Sequence, residues 1–123
     1  GICLGFQLAL NTYEISKTNK LRCLSLIKGS VKKIENVKFP LPIINWNKVE
    51  SKNKKDNLKN KFFYFSHSYY CDLSLREKNI SFINISGKKI ISSYENKNLY
   101  LYQFHPELSG ENGLNLLKKF KEL

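Results

Sequence analysis

Methionine is absent from this sequence, tryptophan occurs once, proline and cysteine three times each, and arginine only twice against 19 lysines. Each shortage excludes something. The cysteines, Cys3, Cys23 and Cys71, are odd in number, contain no C-x-x-C pair and are joined by only 2 histidines, so neither a disulfide framework nor a zinc site is expected. Free thiols favour a reducing compartment, which makes a cytoplasmic location the expectation. Long hydrophobic runs are lacking too. The longest charge-free stretch, Gly1 to Tyr13, is shorter than the roughly 18 apolar residues of a membrane span and is broken by Gln7, Asn11 and Thr12, so no membrane partner is expected. A secretory leader opens on a Met and a basic region, whereas this chain opens Gly1-Ile2-Cys3. A processed chain or a fragment of a longer one is the expectation.

What is present describes one domain. A chain of 123 residues, 41% of them hydrophobic, can bury roughly two-thirds of its unfolded surface without a covalent staple. The formal charge of +11 raises the question of a nucleic-acid surface, since neutralising phosphate supplies most non-specific affinity. The shortage of arginine weighs against it, because bidentate phosphate and base recognition lean on the guanidinium. Lysine, asparagine and isoleucine are abundant together, as an A/T-rich coding sequence would give, and no nucleic-acid partner is expected. The densest basic tract, Lys48 to Lys61, has almost no apolar content and reads as a solvated loop or mobile insertion.

The pattern of elements is mixed α/β. Leu4, Leu8 and Ala9 are spaced to give a short helix one apolar face, ending near Asn11 and Thr12. Ser30 to Ile34 alternates as a strand, Phe39-Pro40-Leu41-Pro42 forces an irregular extended segment, and Phe62 to Phe65 is an aromatic strand. Ile80 to Ile85, Ile90 to Tyr94 and Leu99 to Phe104 are further β-rich runs, separated by Gly87 and by Glu95-Asn96-Lys97-Asn98. Ser109 is placed to cap a closing helix whose Leu114, Leu117 and Phe120 recur every three residues as a core-facing stripe.

Two short motifs carry chemistry. Gly1-Ile2-Cys3-Leu4-Gly5 has the form of a nucleophile elbow with a thiol in place of the hydroxyl. Both glycines are expected to be required, because side chains beside a nucleophile on so sharp a turn would collide. The helix that follows should favour thiolate, and the Leu4 N–H should point where an oxyanion would form. Alone, the motif is more commonly a buried structural cysteine in a glycine-rich turn. The second motif is Gln103-Phe104-His105-Pro106-Glu107. Residues two apart in an extended chain face one side, so Glu107 can accept from the imidazole and hold His105 in one tautomer. Alone, it also fits a surface histidine before a turn-forming proline. Together they supply nucleophile, base and orienter, provided sulfur and imidazole meet at hydrogen-bonding range.

GICLGFQ, YFSHSYY and YQFHPELSGENGLNLLKKF closely resemble class I glutamine amidotransferases, and Pro42-Ile43-Ile44-Asn45-Trp46-Asn47 makes the chain most similar to the glutaminase subunits of imidazole glycerol phosphate synthases. The resemblance implies a flavodoxin-like doubly wound α/β fold, of which residues 1–123 form the C-terminal portion, starting at the elbow. It implies Cys3 as nucleophile, His105 as acid/base and Glu107 as orienter, with Leu4 and Gly5 contributing backbone to the oxyanion site. Gln7 matches a glutamine-contacting position, and His67, Ser68 and Tyr69 match the segment that holds the substrate's amino-acid end. No metal or organic cofactor is implied. The partners implied are glutamine and, in a heterodimer, a (βα)8-barrel cyclase that receives the ammonia. Pro42, Trp46, Asn47 and Leu108 fall at the interface with it.

Several positions depart from the family pattern. Ile43 stands for a usual His, Asn45 and Leu101 for Gly, and Leu108 for a frequent Lys, all changes that touch the partner side. A glutaminase feeding a sugar amidotransferase of surface-polysaccharide synthesis is the alternative acceptor pathway. An inactive fragment or basic binding module is the non-enzymatic one. Because the strand feeding the elbow and a glycine-rich oxyanion loop have no counterpart here, the isolated chain is expected to fold poorly and to lack activity.

Overall fold

The computed structural model describes residues 1–73 and 78–123. A short helix, α1 (Leu4–Leu8), precedes six strands: β1 (Thr12–Glu14), β2 (Lys20–Arg22), β3 (Ser30–Lys33), β4 (Ile43–Lys48), β5 (Phe62–His67) and β6 (Tyr69–Asp72). Then come β7 (Ile80–Ile85), β8 (Lys88–Asn96), β9 (Leu99–Tyr102), a 3-10 turn (Pro106–Leu108) and α2 (Gly110–Lys121). The strands form sheets in the orders β2-β1-β3-β6, β4-β5 and β7-β8-β9. β1 and β3 run parallel and the other strand pairs antiparallel. The architecture is therefore α/β, as the pattern of elements implies. No helix among the described residues is long and apolar enough to cross a membrane.

Local sequence explains the regular parts. The β7–β8 hairpin turns on Ser86 and Gly87, both at positive φ (50° and 81°), a two-residue loop whose twist matches that of the strands it joins. β5 alternates strictly: Phe63, Phe65 and His67 are buried and Phe62 is exposed, so one face enters the core. There Phe104 stacks on Phe63 at a centroid distance of 4.1 Å, with Phe65 and Tyr102 at 5.6 and 5.2 Å. A second core joins Phe6, Leu10, Val31, Cys71 and Leu101.

Four expectations are corrected. The Lys48–Lys61 tract is not a solvated insertion: the Val49 N–H donates to Lys61 O and the Asn60 N–H to Val49 O, and Leu58, 3% exposed, is inserted in the aromatic core. Val49 and Leu58, both in the core, anchor the tract. In α1, Leu4 and Leu8 are exposed and the buried side is Phe6, Gln7, Ala9 and Leu10. The leucines dominate the sequence pattern, but the chain's tight turn after α1 carries Ala9 and Leu10 inward. In α2, Leu114 is exposed and Leu117 and Phe120 lie at the margin, while Gly113 and Leu116 are buried. The helix rolls onto Gly113 because only there can its backbone lie against Pro106, a contact that a count of large side chains does not register. Ser109 makes no side-chain cap to α2; its hydroxyl is engaged elsewhere.

Candidate active site

Three extended segments meet at one place. The Cys3 N–H donates to Tyr102 O (2.7 Å) and the Tyr102 N–H to Gly1 O (2.8 Å), so Gly1–Cys3 lies parallel to the end of β9. Beyond β9 the chain bends at Gln103 and Phe104, both fully buried, and is extended again at His105. The His105 N–H donates to Tyr64 O (2.9 Å), which ties this segment to β5. Ser109 completes the tie. Its buried hydroxyl donates to His105 O at 2.6 Å and accepts from the Tyr64 N–H at 2.9 Å, so the serine expected to cap a helix instead fixes the backbone of the imidazole. That role left no sequence signal beyond its position four residues after His105.

Cys3 occupies a conformation few L-residues adopt, with φ 50° and ψ −108°. The turn leaves no room at Gly1, where a Cβ would stand 2.7 Å from the Gly5 backbone. At Gly5 a Cβ would meet open space, so only one of the two expected glycine requirements holds. Gly5 is corrected in its other expected role as well: its N–H is spent on Ile2 O at 2.8 Å, whereas the Leu4 N–H is directed at the sulfur.

The surroundings of the sulfur disfavour its anion. Burial pushes the Cys3 pKa up, and the charge of Glu107 adds to this; the Leu4 N–H and the Gln103 amide pull the other way without prevailing. The helix start does favour thiolate through the Leu4 N–H, as expected, but desolvation outweighs it. The Cys3 Sγ lies 3.8 Å from Ser66 O, to which it donates, and 3.7 Å from Gln103 Nε2. His105 is not among its hydrogen-bond partners in the described residues. The charge of Glu107 acts on the sulfur, but the expected thiol–imidazole bond is not among those of the described residues, and the thiol donates to Ser66 O. Bonds of this kind commonly tighten only with substrate in place.

His105 and Glu107 are already paired. The His105 Nδ1 to Glu107 Oε1 distance is 2.7 Å, which leaves Nε2 as the nitrogen free to exchange a proton. The proline between them starts the 3-10 turn that brings the carboxylate back beneath the ring.

Gln7, His67, Ser68 and Tyr69 lie on the substrate-facing expectation list with mixed results. Gln7 is buried and donates to Tyr69 O (3.2 Å) and Gln103 Oε1 (3.1 Å). Tyr69 O also accepts from His67 Nδ1 at 2.7 Å, and Ser68 O from the Ile34 N–H at 2.9 Å. The His67 ring faces inward beside Phe65, and its buried Nε2 has no partner among the described residues. Burial lowers its pKa from 6.5 to about 4. The unfolded chain therefore binds a proton on His67 that the folded one refuses between these values, so stability is complete above pH 6.5 and lost as pH falls toward 4. Urea unfolding of the whole protein should show about 3 kcal/mol lost over this interval through His67. The His67→Gln variant should show a correspondingly flatter profile; an unchanged slope would remove His67 as the cause.

On the expected partner side, Trp46 (46% exposed) and Leu108 (55%) present apolar surface, Pro42 is exposed and Asn47 half-buried. Trp46 packs edge-on against Tyr64, the residue that holds His105. The structure thus joins this surface to the site through β5.

The family model for glutamine amidotransferase class-I matches residues 1–123. Similar curated proteins bear the name imidazole glycerol phosphate synthase subunit HisH. That of Chlorobium chlorochromatii is 38% identical over 127 residues, covering 100% of this chain and 62% of the relative. Those of Haemophilus influenzae and Listeria monocytogenes are 37% and 41% identical, covering 99% and 100% of this chain and 60% and 59% of theirs. The chain spans about three-fifths of the length of these relatives.

Proposed function

Because this chain belongs to the class I glutamine amidotransferases, we propose that it carries the thiol, imidazole and carboxylate of a glutaminase, and that the whole protein supplies ammonia to imidazole glycerol phosphate synthase. The observation that carries the reading is the strained Cys3 turn beside a His105–Glu107 pair already bonded at 2.7 Å. A nucleophile elbow sets its reactive residue on just such a strained turn into a helix.

The chemistry runs in two halves. Cys3 gives its proton to His105 Nε2 and attacks the side-chain amide carbon of glutamine, while the Leu4 N–H meets the charge developing on the carbonyl oxygen. His105 then returns the proton to the departing nitrogen, and ammonia leaves a glutamyl thioester. Water, deprotonated by His105, hydrolyses the thioester and restores the thiol. Glu107 holds the imidazole tautomer and stabilises the imidazolium in both halves. Gln7 uses both amide protons within the protein, which leaves its carbonyl oxygen to accept from the substrate's ammonium. No step calls for a metal or organic cofactor.

Ammonia is useful only if it reaches an acceptor before water protonates it, and the exposed Trp46 and Leu108 beside Tyr64 offer the docking surface for a cyclase in a cytoplasmic heterodimer. The shared name of the relatives favours histidine biosynthesis over a sugar amidotransferase. The full-length gene should restore growth without histidine to a strain lacking this glutaminase subunit. Failure there, with rescue of a strain defective in polysaccharide amidation, would reassign the acceptor.

A further inference from the structure

We propose that Gln103 is a catalytic residue of this site, its side-chain N–H donating to the Cys3 sulfur and stabilising the thiolate formed when the proton leaves. The inference deepens the glutaminase reading and rests on it for its role in turnover.

The orientation of the amide is imposed by the backbone. Tyr69 O can only accept, so the Gln7 atom 3.2 Å from it must be the nitrogen. That same nitrogen lies 3.1 Å from the Gln103 side chain, whose facing atom must therefore be the oxygen. The remaining atom of the Gln103 amide is then its nitrogen, and this is the atom 3.7 Å from the Cys3 Sγ. A carbonyl, two glutamines and a sulfur form one directed chain. Flipping either amide would set two donors or two acceptors face to face.

Burial makes the donor effective. Gln103 is 0% exposed and its backbone is fixed by donation to Ser92 O at 2.8 Å, so no water competes for the amide and it cannot swing away. A neutral thiol is a poor acceptor and gains little from it, whereas a thiolate is a strong one. Ser66 O acts in the opposite sense, accepting from the thiol and repelling the thiolate. Removing the proton to His105 Nε2 thus turns the Ser66 contact unfavourable and the Gln103 contact favourable. The same donor meets the sulfur again when the thioester C–S bond breaks and the electron pair returns to it. The pull of the Gln103 amide on the Cys3 titration is in the expected direction.

The test reads the thiol directly and needs no glutamine. Iodoacetamide alkylation of Cys3 in the full-length protein, followed by mass spectrometry of its own peptide so that Cys23 and Cys71 do not contribute, is measured against pH. Gln103→Met, of similar shape but with no donor, should raise the alkylation midpoint by about one pH unit, making the reaction about tenfold slower at a fixed pH below it. Gln103→Glu, which sets a carboxylate against the sulfur, should raise it further. A midpoint unchanged in folded variants would overturn the proposal. Should both variants fail to fold, the wild-type protein decides: the Gln103 side-chain amide proton, followed by NMR, should shift with the midpoint of Cys3, and a stationary resonance would refute the donor. A midpoint that moves in a protein releasing no glutamate would leave the donor standing and reject the glutaminase reading instead.

Discussion

Glutamate release from glutamine by the full-length protein should fall by about a thousandfold or more in Cys3→Ala, with the fold intact. The sulfur is the atom that bonds to substrate carbon, and nothing nearby replaces it: Cys71 is buried and its thiol pushed far up by burial, and Cys23 has Leu21 O as its partner. Unfolding should barely notice the change, because beyond the neighbouring Leu4 N–H the hydrogen bonds of the Cys3 sulfur among the described residues are long, 3.7 and 3.8 Å. Loss of activity with unchanged denaturant midpoint is the expected pair of results. Glutamate release persisting within tenfold of wild type would mean that the nucleophile lies elsewhere.

The second large effect falls on a residue that touches no substrate. A Cβ at Gly113 would stand 1.8 Å from Pro106 O and 2.9 Å from the Ser109 Cβ, both in the segment that sets His105. The nearest obstacle is backbone, which cannot rotate aside as a side chain can. Gly113→Ala should therefore drive α2 off the 3-10 turn, costing about 3 kcal/mol or more, against the gain of a few tenths to 1 kcal/mol that alanine usually brings to a helix interior. In a protein of the relatives' size this corresponds to a drop of roughly 10 °C in Tm. Activity should fall too, since the bond from the Ser109 hydroxyl to His105 O is made from the displaced segment. A Gly113→Ala protein as stable as wild type would show that α2 has room the structure denies it.

Much of the site was legible because its residues are chemically rare and close in sequence. A cysteine between glycines and a histidine two residues before a glutamate declare themselves without any knowledge of the fold, and Glu107 is bonded to His105 as the spacing implies. The strands were legible for a similar reason: β5 and β7 are runs of aromatic and β-branched residues whose side chains alone settle their conformation. What stayed hidden depends on contacts between distant segments. Burial, which no local spacing reveals, outweighs the thiolate-favouring Leu4 N–H at Cys3. Gln103 sits inside a recognised motif, yet its role needs Gln7 and Tyr69, far off in sequence, to orient it. Size also misled. Leu114 looked like core, but in a helix laid against a turn the smallest residue, Gly113, marks the closest contact.

Burial that disfavours the Cys3 thiolate also slows its reaction with peroxide and disulfides, since both require the anion.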